Sequence, residues 1–180
     1  MQYHSTRSKN QPVNGAQAVL NGLAPDGGLY VPAKIPAIDV SACLQESTMD
    51  MAVRVIGALL PDIPDIDALV RRAYTGKFET DQLTPTVDTG KFTVLELFRG
   101  PTSAFKDVAL CMLPQLLTKA KTVQKMQEDI LILTATSGDT GKAALEGFRD
   151  VEGVGICVFY PHGGVSKVQQ AQMATQEGNN

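Results

Sequence analysis

Two features of the 180-residue chain place it in the α/β class. In the second half, apolar runs at 92–98, 130–133 and 154–160 alternate with helical patterns, the order of strand–helix–strand units in a parallel sheet. In the first half, two amphipathic stripes and a short strand lack that alternation, which predicts a small mixed domain ahead of the sheet region. Residues 77–91, rich in Thr, Asp, Pro and Gly, separate the halves. The boundary is therefore expected close to residue 90, giving domains 1–90 and 91–180.

Residues 1–13 are polar, and Tyr3-His4-Ser5-Thr6-Arg7 reads either as a solvated tail or as an extended segment whose arginine pairs with an anion. Asn14 can cap a short helix carrying Ala16, Val19 and Leu20, and Pro25-Asp26-Gly27-Gly28 then turns the chain into a short strand at 29–31. Met51, Val55, Ile56 and Leu59 fall at helical spacing, and Pro61 ends that helix. Asp65 is placed to cap a second helix, with Ile66, Leu69, Val70 and Ala73 on one face. These helices read as packing elements.

The chemistry concentrates in two strand-to-helix connections. The first is L-F-R-G-P-T-S-A-F-K-D at 97–107, where Gly100-Pro101 turns the chain and Thr102 or Ser103 can cap a helix starting near Lys106. That helix is expected to reach about residue 120, to turn Leu110, Leu113, Leu116 and Leu117 inward, and to kink or lose a hydrogen bond at Pro114. Lys106 has a bland reading as a first-turn lysine on a solvated face. Flanked by Phe105, Val108 and Ala109, it can also be an amine of lowered pKa that forms a Schiff base with an aldehyde, as lysines holding pyridoxal phosphate do.

The second connection is Ser137-Gly138-Asp139-Thr140-Gly141, between the 130–133 run and a helix carrying Ala143, Ala144, Leu145 and Phe148. Free N–H groups and the helix dipole make such a turn an anion site, although Asp139 or Thr140 can equally serve as an ordinary N-cap. A nucleotide P-loop is excluded, because Thr136 stands where its first glycine belongs and Ala143 where its Ser or Thr belongs. His162, after the last strand, lies at the sheet edge where open α/β folds bind ligands. Ser166 and Lys167 open a final helix whose start can help hold a phosphate.

Composition limits the remaining classes. A net charge of −3 and the absence of Trp argue against nucleic-acid binding. No apolar run approaches the roughly 18 residues of a membrane span, and the N-terminus lacks a signal-peptide core. Cys43, Cys111 and Cys157 are far apart, which fits reduced thiols, each expected as a small core residue, and a cytoplasmic location.

The segment G-P-T-S-A-F-K-D at 100–107 resembles the cofactor-lysine segment of the threonine synthase family, fold-type II pyridoxal-phosphate enzymes. Y-H-S-T-R at 3–7, G-L-A-P-D-G-G-L-Y-V-P at 22–32, T-A-T-S-G-D-T-G-K-A-A at 134–144 and the Y-P-H-G-G-V-S-K-V-Q-Q-A-Q-M that follows resemble the same family in the same order. Arg99 stands where the family has histidine and His162 where it has lysine, which bears on substrate contacts. The resemblance implies conversion of O-phospho-L-homoserine and water to L-threonine and phosphate. It implies pyridoxal 5'-phosphate held by Lys106, which would also shuttle protons at the substrate's α and β carbons. It further implies Asp139 on the cofactor side, with Ser137, Gly138, Thr140 and Ser166 as substrate contacts. Members of the family are longer, so the chain is expected to be an N-terminal portion that needs the remaining C-terminal part and is inactive alone. A phospho-lyase of the same family and a non-catalytic stand-alone domain are the alternative readings.

Overall fold

The computed structural model describes residues 1–8 and 11–179, and its chain divides into two compact units. The first holds Met1–Arg72 and Gln115–Gln127, and the second Ala73–Pro114 and Glu128–Asn180. The residue-90 boundary expected from composition falls inside the second unit, in the turn of a hairpin.

In the first unit, residues Gln2–Ser5 (β1) form the central strand of a three-stranded antiparallel sheet, between Val13–Asn14 (β2) and Tyr30–Pro32 (β3). Tyr3 lies opposite both Val13 and Pro32, and Ser5 opposite Tyr30. The tyrosine is buried, and its hydroxyl donates to the carbonyl of Leu59. The Y-H-S-T-R segment is thus structural strand rather than tail. Arg7 reaches the main-chain oxygen of Asp26 at 2.9 Å, and Ser5 Oγ donates to the Asp26 carboxylate at 2.6 Å, which ties the strand to the 25–28 turn.

Asn14 starts the helix Gly15–Asn21 (α1) with a capping box shared with Gln17. Asp62 accepts from the Ala16 N–H at 2.8 Å, satisfying another of the N–H groups that a helix start leaves without an internal partner. A four-residue turn Val40–Cys43 (α2) leads into Thr48–Leu59 (α3), capped by Ser47. Ile66–Tyr74 (α4) buries Ile66, Leu69, Val70 and Ala73, as its spacing predicts. Asp65 opens it through its carbonyl, which accepts from the Leu69 N–H, rather than as a side-chain cap. Its φ is +63°, and its carboxylate pairs with Lys119 at 2.6 Å.

In the second unit, the 92–98 run does not enter a parallel sheet. Thr86–Asp88 (β4) and Thr93–Leu95 (β5) form an antiparallel hairpin whose Val87, Val94 and Leu95 are exposed. The helix Asp107–Val123 (α5) follows. Its buried stripe is Asp107, Cys111, Pro114 and Leu117, with Met112 beside it, while Leu113 is exposed. Of the four leucines expected inward, Leu117 is buried, Leu110 and Leu116 are half-buried and Leu113 is exposed, so the inward face is the leucine face only in part, Pro114 packing inward with Cys111 and Leu117 at spacings of three.

Ile130–Ala135 (β6), Asp139–Phe148 (α6) and Val154–Phe159 (β7) make the predicted strand–helix–strand unit, with β6 and β7 parallel from Ile130 opposite Val154 to Ala135 opposite Phe159. Phe148, Ala143, Ala144, Val154 and Met173 form its core, the last from Lys167–Ala174 (α7). Gly141 permits a close approach in this core, since a Cβ there would collide with Thr136, Val158 and Met173. The strands are not buried on both faces. Leu131, Leu133 and Phe159 are exposed, and Cys157, expected in the core, is exposed with them.

Candidate active site

The 96–107 connection is held at both ends by charge. Arg99 pairs with Glu96 at 2.7 Å and Glu79 at 2.6 Å, and its guanidinium lies 5.0 Å from the centroid of the Phe98 ring. Arg99 is committed to two carboxylates, which raise its pKa further, so it anchors the loop instead of offering a free cation. At the other end, Asp107 is 1% exposed and accepts from Thr102 twice, from N–H at 2.8 Å and from Oγ1 at 2.5 Å. Neither Thr102 nor Ser103 caps α5 by accepting, as the sequence suggests. The direction is reversed, with the helix's first carboxylate accepting from the loop.

Between these anchors Ser103 adopts φ +58°, and Lys106 is half-buried immediately before α5. Lys106 Nζ lies 4.3 Å from the centroid of the Phe105 ring, and no carboxylate pairs with it among the described residues. Phe105 is itself 61% exposed, so the amine lies on an open aromatic shelf rather than deep in apolar packing. Lys142 differs, because its amine donates to Gln176 and lies 4.0 Å from Glu146.

The β6–α6 turn gathers Ser137, Gly138, Asp139 and Thr140. Gly138 is the N-cap, with φ +150° and no side-chain cap bond, so neither Asp139 nor Thr140 serves as the cap. Thr136 Oγ1 accepts from the N–H groups of Gly138 and Gly141, both at 3.1 Å, and the N–H groups of Asp139 and Thr140 lie in the first helical turn, where a helix offers them no internal partner. Gln169 of α7 donates to Asp139 at 2.7 Å, over a glycine whose missing Cβ makes room for its amide. Ser166 does not present a free hydroxyl: it caps α7 by accepting from the Gln169 N–H at 3.2 Å, within a capping box. The substrate contacts expected at 137–140 and 166 are thus joined through Gln169, while no hydrogen bond or ion pair among the described residues joins Lys106 to that turn. Asp107, Thr136 and Gln169 take hydrogen-bonding roles that the sequence alone does not assign to them. Only Gln169 carries a readable signal, the S-x-x-Q capping box.

Residues 2–74 match the family model described as threonine synthase N terminus. Threonine synthase of Pseudomonas aeruginosa is 40% identical over 187 residues, covering 100% of this chain and 39% of its own length. Along its whole length the chain is similar to the amino-terminal part of threonine synthases. Threonine synthase of Saccharomyces cerevisiae is 36% identical, covering 99% of this chain and 38% of its own length. The structure of pyridoxal-phosphate-bound threonine synthase from Brucella melitensis superposes with a TM-score of 0.86 at 39% identity, over 96% of this chain and 38% of that one. The mixed α/β fold is therefore that of the amino-terminal part of threonine synthases, and the chain spans under two-fifths of their length.

Proposed function

We propose that these residues belong to a pyridoxal-phosphate-dependent threonine synthase, converting O-phospho-L-homoserine and water to L-threonine and phosphate. The activity is that of a whole protein whose further residues complete the site, with 91–180 as part of its catalytic region. The observation that carries this reading is Lys106: a primary amine at a loop-to-helix junction, over an aromatic ring, with no carboxylate partner among the described residues. The donor set fits the cofactor. An amine suits its aldehyde, and the turn N–H groups and hydroxyls suit a substrate carboxylate.

Pyridoxal phosphate, when bound, supplies an electron sink for carbanions of the amino-acid substrate. Lys106 Nζ would hold its aldehyde and would move protons at the substrate α and β carbons. Ser137, Thr140 and the N–H groups that open α6, Gly138 among the residues of this turn, would bind the substrate carboxylate. Asp139, steadied by Gln169, would lie on the cofactor side. Ser166 acts through its cap, which fixes Gln169. Free thiols at Cys43, Cys111 and Cys157 support a reducing, cytoplasmic location.

Incubation with pyridoxal phosphate, borohydride reduction and peptide mapping test the assignment. Label on Lys106 is expected, and label confined to Lys142 or Lys167 sinks it. In the full protein, threonine as the product excludes the lyase alternative, which releases a keto acid.

A further inference from the structure

Asp107 is the most deeply buried carboxylate among the described residues of the second unit, at 1% exposure. Both of its oxygens are spent on Thr102, which closes a ring across the four residues that separate them, 103–106. A Cβ on Gly100 would stand 2.5 Å from Asp107 Oδ2 and 2.6 Å from its Cβ, so the loop backbone rests directly on this side chain. Inside the ring, the Ser103 N–H donates to the Gly100 carbonyl and the Asp107 N–H to the Ala104 carbonyl. Lys106 is fixed from the helix side as well, its carbonyl accepting from the N–H groups of Ala109 and Leu110. A buried carboxylate without its donors is costly, so the ring resists opening and holds Ser103 at its positive φ.

We infer that Asp107 is the positioning residue for Lys106: by clamping Thr102 it fixes the 100–106 turn and with it the place of the reactive amine. The role rests on the proposed use of Lys106 as the cofactor lysine, and it makes Asp107 a residue that acts through another group.

The test compares the wild-type full chain with Asp107→Ala, Asp107→Asn and Thr102→Val. Two reagents are read by peptide mapping at the same lysines: pyridoxal phosphate with borohydride, and acetic anhydride, which needs no cofactor site. Lys167 in the same digest is the internal reference. In Asp107→Ala, capture of pyridoxal phosphate at Lys106 relative to Lys167 is expected to fall about fivefold, the factor of one lost buried hydrogen bond, and the relative acetylation rate to change as much. Asp107→Asn is expected to recover most of this, because its amide oxygen accepts from the Thr102 N–H while its amide donates to Thr102 Oγ1. A general loss of stability would move Lys106 and Lys167 together and would not be repaired by asparagine. Unchanged ratios in a folded Asp107→Ala, or an Asp107→Asn as impaired as the alanine variant, overturn the inference. Should Asp107→Ala fail to fold, an unchanged ratio in Thr102→Val overturns it instead. A wild type that takes no pyridoxal phosphate at Lys106 refutes the cofactor reading, and the acetylation ratios then decide the positioning role alone.

Discussion

Gly147 of α6 lies so close to α5 that a Cβ at this position would collide with the main-chain carbonyl of Leu110. A backbone atom cannot swing aside as a side chain can, so the contact fixes the distance between the helix after Lys106 and the helix after the Ser137 turn. Gly147→Ala is expected to destabilise the second unit by about 1–3 kcal/mol, the usual cost of overpacking, although alanine is the better helix former. Urea unfolding checks this. A variant as stable as the wild type would mean that the helices separate freely.

How far this arrangement could be read from residues alone depended on whether local chemistry decided the element. Asn14 accepts from the main-chain N–H three residues ahead, so α1 was legible from its cap, and α3 from its apolar spacing. The β6–α6–β7 unit was legible too, because apolar runs flanking a glycine turn have few other uses. The face of α5 was legible only in part: Leu117 is buried as its spacing predicts, but Leu113 is exposed, and tertiary packing turned Cys111 and Pro114 inward. At the site, Lys106 and the 137–141 turn stood out as residue types, whereas Asp107 looked like an ordinary first-turn acid. Its burial depends on Gly100 and Thr102 folding back over it, a loop geometry that spacing does not encode.

The Asp26 carboxyl is held below the usual aspartate range, first by the Ser5 hydroxyl, then by the Gly28 N–H, with the Arg7 charge adding to it. A carboxyl lowered on folding contributes stability that is present above its unfolded pKa of about 3.9 and is lost as pH falls through the folded value. Asp26→Asn is therefore expected to lower the thermal midpoint at pH 6, with the gap to wild type closing as pH drops below about 4. A gap that stays constant from pH 6 to pH 3 contradicts this account of the strand-to-turn tie.

The cysteines should separate by reactivity. Burial pushes the Cys111 thiol up to about 11, with Asp107 and Glu146 adding to the rise and Lys77 opposing it, whereas Cys157 lies exposed on β7. At pH 8, about one Cys111 in a thousand is then thiolate, the reactive form, and that one is shielded. Iodoacetamide with peptide mapping is expected to label Cys157 promptly and Cys111 only on unfolding. Equal rates would show that the packing around Asp107 and Cys111 opens readily.

Asp139 couples the β6–α6 turn to α7 through Gln169, and Gly138, not Asp139, is the helix cap. Asp139→Ala should therefore cost the fold only about 1 kcal/mol, the value of one exposed hydrogen bond, while weakening ligand binding at the turn more than that. Calorimetric unfolding and phosphohomoserine affinity of the full protein are the two readouts. A collapsed unfolding midpoint with unchanged affinity would assign Asp139 to the fold alone.

The exposed side of the β6–β7 pair carries the last prediction. Alternate residues of a strand share a face, so Leu131, Leu133 and Ala135 line up beside Cys157 and Phe159. Leu131 and Leu133 are each 63% exposed and Phe159 59%, an apolar surface on parallel strands, which ordinarily carry cover on both faces. Both strands are also edges of their two-stranded sheet. The 180-residue polypeptide expressed by itself is therefore expected to bind an apolar fluorescent dye and to self-associate at micromolar concentration. Replacing Leu133 and Phe159 together by serine should suppress both effects yet shift unfolding by less than about 1 kcal/mol, since most of each side chain is already in water. Dye fluorescence and sedimentation velocity measure the first pair of effects, and urea unfolding the second. A monomer that binds no dye would show that this face is satisfied within the 180 residues, and a double variant that unfolds would show that Leu133 and Phe159 are core residues.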